Sequence, residues 1–404
     1  MKYVIFDDHK KEQFLPMTYL RLIGDLRVGI LKLRQRIEYL FEIEQTNYIM
    51  DNSLFDLYKE RHPDWCLNYV EEADYIFINS RAKINYDNIQ QITGLKQNAI
   101  LKNGENIIAF HISCKAQNID NSELIKLSET CQTVETQDIH CWEYLWEMMH
   151  ENGQWITFDF ENIFYEVDNY IETELGVTLI NPYDIWIGEG AELKAGVVID
   201  ASNGPVVIDE NATIMHNSVI IGPAYIGKKA MIKVAAKIYP NTSIGPVCKV
   251  GGEVEDTIIQ GYSNKQHDGF LGHSFIGEWV NIGADTNNSD LKNTYKNVAV
   301  YNYSVRDKIE TGSTFVGCFI GDHSKIGINC SINTGALIGF GANLYGSPLI
   351  QNFIPNFSWG QADHLDKYQI EKFLSTAKIV KNRRNKELSI NEIEIIKDIN
   401  KRGI

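Results

Sequence analysis

No window of the 404 residues approaches the roughly 18 consecutive apolar side chains of a membrane-spanning helix. Cations are the minority charge: 38 Lys and Arg against 53 Asp and Glu give a formal net charge of −15. That balance argues against nucleic acid or an anionic membrane surface as partner, but leaves room for a local basic pocket. The seven cysteines are odd in number and form no CxxC pair. A reduced, metal-free, cytoplasmic chain is the expectation. The start, Met1-Lys2-Tyr3-Val4-Ile5-Phe6-Asp7-Asp8, turns acidic too soon for a secretory leader. With 44% hydrophobic and 23% charged residues the chain is not disordered, and its length suits two or three packed units.

What the second half has is a clock. From Ile208 an aliphatic residue falls at every sixth place: Ile208, Ile214, Ile220, Ile226, Ile232, Ile238, Ile244 and Val250. Four places after each comes a small or β-branched residue, as at Ala212, Ser218, Ala224 and Ala230. The pattern also runs through Ile187, Leu193 and Ile199, and returns at Ile276, Ile282, Ile320, Ile326, Ile332, Ile338 and Leu344. A period of six matches neither a helix nor an alternating strand. It fits short strands joined by tight corners, each coil stacking its aliphatic residues on the next. The spacing therefore predicts a β-solenoid beginning near Asn181-Pro182.

The clock breaks twice, between Val250 and Ile276 and between Ile282 and Ile320. Both intervals exceed a multiple of six by two, so residues are expected to loop out of the wall, on what is often the binding face. The segments around the breaks carry amide, hydroxyl, imidazole and ammonium groups suited to a polyhydroxylated, phosphorylated ligand.

The hexads resemble the left-handed β-helix of hexapeptide-repeat acyltransferases, a resemblance that implies a homotrimer with sites between neighbouring subunits. Lys265-Gln-His267-Asp-Gly-Phe270-Leu-Gly272, with Ile276-Gly-Glu-Trp-Val-Asn281-Ile-Gly-Ala284, looks like the acetyltransferase domain of bifunctional N-acetylglucosamine-1-phosphate uridyltransferases. The resemblance implies acetyl-CoA as co-substrate and His267 as the general base that deprotonates a sugar 2-amino group. An imidazole, with an ordinary pKa near ~6.5, suits that work at neutral pH. By the same resemblance Lys265, Asn281, Asn288 and Lys292 or Lys296 would hold the sugar phosphate. Cys318 in Phe315-Val-Gly-Cys318 and Thr334 in Ser331-Ile-Asn-Thr334-Gly335 would meet the coenzyme. Arg383 and Arg384, within a basic run, could hold its phosphates or simply form a solvated helix face. This chain departs from the family at Phe270, where a Tyr is expected, at Tyr239 in place of an Arg, and at Glu253, Glu255 and Asp256 in place of a basic pair. His273 and His111 read as structural. Ser389-Ile-Asn-Glu392 reads as a capping box for a last helix with an Ile393, Ile396, Ile399 stripe.

In the first half, Tyr3–Phe6 and Tyr75–Ile78 read as buried strands and Val28–Phe41 as a helix, so an α/β unit is expected. The stretch from Leu15 to Gly29 resembles the opening of a sugar-nucleotidyltransferase-like domain. That resemblance makes Arg21, Arg27, Asn79 and Arg81 candidates for nucleotide binding, and implies Mg²⁺ beside the phosphates. A glycine-rich phosphate loop is missing, since no glycine precedes Gly24, and Asn79-Ser80-Arg81 replaces a Gly-Asp strand end. Residues from about Ile119 to Glu174 are expected to close this domain and cap the open end of the solenoid.

The expected architecture is an α/β nucleotidyltransferase-like domain over 1–180, an all-β left-handed parallel β-helix over 181–360 and a helical tail over 361–404. The expected function is acetyl-CoA-dependent N-acetylation of a glucosamine-1-phosphate-type sugar, joined to a first domain that either carries out nucleotidyl transfer with a variant layout or has lost that chemistry and only binds a sugar nucleotide. Two alternatives stand beside it: a nucleotidyltransferase whose β-helix only trimerises it, and a catalytically silent scaffold that binds a nucleotide sugar.

Overall fold

The computed structural model describes residues 1–165, 167–170 and 174–403. Its second half is a left-handed parallel β-helix of three walls, sheets of six, nine and ten strands, running from Thr178–Ile180 to Ser358–Gln361. The last strand of the ten-stranded wall, His364–Lys367, is an antiparallel return. The hexad residues fill the interior. On one wall Ile187, Ile208, Ile226, Ile244, Ile259, Ile276, Ile320, Ile338 and Ile354 pair in successive register, all buried in a single core. Corners need left-handed backbone, which costs an ordinary residue roughly 1–2 kcal/mol. Asn211, Asn217 and Asn241 serve this at several corners, but one edge carries Val247, Tyr262, Trp279 and His323 with φ of 55–63°. Each of these four donates its backbone N–H to a carbonyl of the preceding coil, which ties the edge together.

The first interruption of the clock does not loop out, contrary to expectation. Val254, Ile259, Lys265 and Leu271 keep the wall going with shortened corners, and Lys265 pairs with Val250 in the interior row. The six-residue count fails there because the steps from Val250 to Val254, Val254 to Ile259 and Leu271 to Ile276 are shorter than six, and a lysine, Lys265, also stands in one of the aliphatic slots. The second interruption does leave the wall: after Asn287–Asn288, which pairs with Ser331–Ile332, the chain makes an antiparallel hairpin, Ala299–Asn302 with Asp307–Glu310, and rejoins at Phe319–Ile320.

The N-terminal unit is a mixed seven-stranded sheet in which strand Lys2–Phe6 lies between Asn47–Ile49 and Ala73–Asn79, parallel to both. A helix spans Leu33–Leu40, shorter than Val28–Phe41 because Val28 to Lys32 form a turn closed by Val28 N–H to Leu31 O and an Arg27–Lys32 bridge. Helices Leu145–His150 and Asn152–Asp159 do not cap the solenoid's end. They lie along its flank, where Trp142, Leu145 and Trp146 meet Ile258, Phe275 and Phe319, and Ile156 meets Trp186, Val207 and Tyr225. The nine-stranded wall is therefore apolar on both faces. A sequence signal existed for this: on this wall the hexad residue is usually preceded by a second large apolar one (Trp186-Ile187, Tyr225-Ile226, Phe275-Ile276, Phe319-Ile320, Leu337-Ile338), with Ser243-Ile244 as an exception.

Helices Ile370–Asn382 and Ile390–Arg402 close the chain back on the N-terminal unit. Ser389 caps the second with the anticipated box, and Ile396 and Ile399 join the core of Leu20, Leu57 and Tyr58. Glu392 accepts from both Arg61 and Lys381. All seven cysteines are free thiols. Among the described residues no helix is long and apolar enough to cross a membrane.

Candidate functional site

Two concavities stand out. The larger, of about 1090 Å³, opens at the carboxyl end of strand Lys2–Phe6, where the sheet order turns from Asn47–Ile49 on one side to Ala73–Asn79 on the other. Ligands of open α/β sheets bind at this kind of switch point. Asp7, Asp8 and Asp51 from the strand ends, Lys11 from the short 3-10 helix His9–Phe14 that follows, Lys126 and the last helix line it.

The anticipated nucleotide ligands are elsewhere engaged. Arg21 is clamped to Asp322 through both terminal nitrogens at 3.1 and 2.8 Å and lies 3.3 Å from Glu278, so it joins the domains. Arg27 donates to Ile30 O and stacks its guanidinium over Tyr225 at 5.1 Å. Arg81, fully buried, binds Asp8, Trp142 O and Asn106. Asn79 donates to Asp8 at 3.0 Å and to Ile107 O at 2.8 Å. None of the four lines the cavity, because burying a guanidinium or an amide demands internal partners.

The two strand-end carboxylates are spent in the same way. Asp7 accepts from Tyr48, Ser80 and Ile23 N–H at 2.5, 2.6 and 2.8 Å, while burial raises its pKa. Burial acts to raise that of Asp8 too, but the Arg81 charge holds its carboxyl below the usual range. Mg²⁺ needs free carboxylate oxygens, so this pair does not fit the metal that the resemblance implies.

The second concavity, of about 400 Å³, lies on the outside of the ten-stranded wall. Its floor is a row of cross-strand neighbours, Lys249, Asn264, Asn281 and Lys325. Its roof is the end of helix Ile370–Asn382, which brings Val380, Arg383 and Arg384 over the row. Tyr262 and Trp279, stacked at 4.4 Å, form one side. Four cations line it and no carboxylate does. Lys325 Nζ donates to Trp279 O and His323 O at 2.6 and 3.0 Å, and burial pushes its pKa down to about 7. Arg384 donates to Asn264 at 3.1 Å and leaves a buried Nε without a partner. Asn281, Arg383 and Arg384 are thus brought together; Lys249 and Lys325 were not anticipated, although their alternation with Val250 and Ile326 marks them as outward-facing.

His267 is exposed, on the corner just past Gln266, which lines the same pocket. Lys265 turns away from solvent: Nζ donates to Gly251 O and His267 O, both at 2.9 Å, and burial lowers its pKa to about 8. It braces the His267 backbone rather than reaching outward for a phosphate. Asn288 points inward and bonds both N–H and C=O of Gly272 at 2.9 and 3.0 Å. Lys292 donates to Asn297 O and Lys296 is exposed, both on the excursion before the hairpin. Cys318 sits in the solenoid interior, its thiol pushed up to about 12 by burial and its N–H given to Ser274. Thr334, also buried, shares a 2.7 Å bond with Ser289. Neither side chain reaches the basic pocket.

His273 was expected to be structural, and its Nδ1 lies 2.8 Å from Asp290, with Asp256 at 3.7 Å from Nε2. Burial opposes its charged form, but Asp290, Asp256 and Glu255 together raise its pKa.

Residues 3–166 match the model of a sugar nucleotidyl transferase family. The chain is 29% identical over 179 residues to an uncharacterized acetyltransferase, YaiX, of Escherichia coli, covering 44% of this chain and 77% of that one. It is 36% identical over 145 residues to a bifunctional sugar-1-phosphate nucleotidylyltransferase/acetyltransferase of Sulfurisphaera tokodaii, covering 35% of each. It is 26% identical over 198 residues to the bifunctional protein GlmU of Bartonella quintana, covering 48% of this chain and 40% of that one. The match thus spans well under half the length of those bifunctional relatives. The chain is thus similar over residues 3–166 to sugar nucleotidyl transferases, and over 35–48% of its length to these acetyltransferase and bifunctional relatives.

Proposed function

We propose that the β-helix transfers an acetyl group from acetyl-CoA to the amine of an amino-sugar 1-phosphate of the glucosamine-1-phosphate type, and that the N-terminal domain holds a sugar nucleotide. The observation that carries the first part is the basic pocket: Asn281, Arg383 and Arg384 converge with Lys249 and Lys325, in a protein of net charge −15, on the wall whose next corner is His267. Four cations without a carboxylate suit the phosphates of a coenzyme.

In the step proposed, the amine nitrogen attacks the thioester carbon as His267 takes one of its protons. The carbon–sulfur bond then breaks, and coenzyme A leaves as a thiol once a proton returns to sulfur. A positioned imidazole contributes about 10²–10⁴-fold to such a step, and holding amine and thioester together contributes much of the rest. Because His267 projects from the wall, a neighbouring copy in a homotrimer would supply the facing side of its groove.

For the N-terminal domain, the commitment of Asp7 and Asp8 to internal partners favours binding of a sugar nucleotide over nucleotidyl transfer. The test is thiol release from acetyl-CoA with glucosamine 1-phosphate, run beside pyrophosphate release from UTP and a sugar 1-phosphate. Thiol release that His267→Ala abolishes while particle mass stays that of a trimer supports the reading. Absence of thiol release with every amino-sugar phosphate overturns it.

A further inference from the structure

The large N-terminal cavity has one wall from the opposite end of the chain. Helix Ile390–Arg402 is fastened on one face by the Ser389 cap, by Glu392 to Arg61 and Lys381, by Asn391 to Glu60 at 2.7 Å, and by buried Ile396 and Ile399. Its other face, with Glu394, Asp398 and Arg402, looks into the cavity. Across from it stands Lys11, whose ammonium makes no hydrogen bond or ion pair among the described residues. Burial lowers the Lys11 pKa; Asp51 and Asp7 offset this and the charge of Arg402 adds to it. Two cations from opposite ends of the chain therefore bear on each other in one hollow.

The carboxylates that bear on this pair are mostly engaged with other partners. Asp7 and Asp8 are consumed internally, and Asp51 caps Ser53 N–H at 2.8 Å. Asp398 meets Arg402 at 2.6 Å, but the two side chains are 50% and 64% exposed, and such a solvent-screened i,i+4 pair contributes little. A group with two or more negative charges placed between Lys11 and Arg402 would exchange that weak contact for charge-assisted bonds. The carboxylates Glu12, Glu129 and Glu394 also line the cavity and remain as acceptors for hydroxyl groups, while Lys126 adds a third cation to the lining. About 1090 Å³ leaves room for a nucleoside and a sugar on either side of a diphosphate.

The geometry points to Lys11 and Arg402 as the two jaws of a diphosphate site, so that the sugar nucleotide of the N-terminal cavity is held in part by the last helix of the chain. The inference rests on the reading above that this domain holds a sugar nucleotide.

The full-length protein is titrated calorimetrically with UDP-N-acetylglucosamine, UDP, N-acetylglucosamine 1-phosphate, inorganic pyrophosphate and coenzyme A. Losing one charge-assisted contact should weaken UDP-N-acetylglucosamine about 10-fold in Arg402→Ala and again in Lys11→Ala. Asp398→Asn, which frees Arg402, should bind a few-fold more tightly. Arg306→Ala, on the exposed hairpin, serves as the unaffected control. Arg402 is largely exposed, so an unchanged melting temperature separates lost contact from lost fold. Unchanged affinity in both Arg402→Ala and Asp398→Asn, with Lys11→Ala weakened, overturns the role of the last helix and leaves the sugar-nucleotide reading standing. Pyrophosphate or coenzyme A binding as tightly as UDP-N-acetylglucosamine overturns the ligand class. No binding of any nucleotide by the wild type overturns this inference together with the reading of the domain beneath it.

Discussion

Asn281 and Lys325 are cross-strand neighbours on the outer face of one wall, although 44 positions separate them in the chain. Between them runs the whole excursion that carries the hairpin. With Lys249 and Asn264 they make a floor that becomes a pocket only when Arg383 and Arg384 arrive from the tail.

Replacing both roof arginines, Arg383→Ala with Arg384→Ala, should raise KM for acetyl-CoA by ten-fold or more and leave kcat within a few-fold, since uniform binding is what they supply. Initial rates of thiol release against coenzyme concentration check this. A fall in kcat at unchanged KM would remove the pocket from coenzyme binding.

Lys325 gives the pocket a pH dependence. Its pKa in the folded protein, about 7 against 10.5, means that the unfolded chain holds the proton more tightly. Burying the charge thus costs stability below about pH 7, and the cost fades as pH rises toward 10.5. Lys325→Met should therefore raise Tm at pH 6 and have little effect near pH 10. Anion affinity follows the opposite course: the charged form is the binder, so coenzyme affinity should fall as pH rises through about 7, with proton uptake on binding seen as a buffer-dependent calorimetric heat.

Lys265 is the interior brace of the His267 corner. Lys265→Met removes the donors that hold Gly251 O and His267 O but keeps the stem that fills the interior row. The β-structure should persist by circular dichroism while thiol release falls about 10-fold or more through lost positioning. An unchanged kcat would show that this bracing is irrelevant to the reaction.

Arg21 tests the seam between the units. Arg21→Ala leaves Asp322 buried beside Glu278 without its partner, which should cost about 3–5 kcal/mol. Denaturant melts should show the loss. Binding of UDP-N-acetylglucosamine at a temperature where the variant stays folded should match wild type, because Arg21 faces Asp322 and not the cavity.

The solenoid is legible in the order of residues alone. Its interior is a one-dimensional stack, so each buried position repeats at a fixed count and Ile208 through Val250 read directly as wall. The capping box at Ser389 was legible for the same reason, since its partners lie three residues apart. The clock misled where corners shortened, as between Val250 and Ile259, and where residue chemistry departed from the slot, as when Lys265 took an aliphatic position and Asn288 turned inward to serve Gly272. Tertiary structure alone decided which charges are spent and which are free. Arg21 and Arg81 are no different in sequence from Arg383 or Arg402. The first two have carboxylates waiting in the interior at Asp322 and Asp8; the others end up on surfaces that face cavities. An ion pair between residues some 70 or 300 positions apart leaves no local trace, because only the folded chain sets their distance.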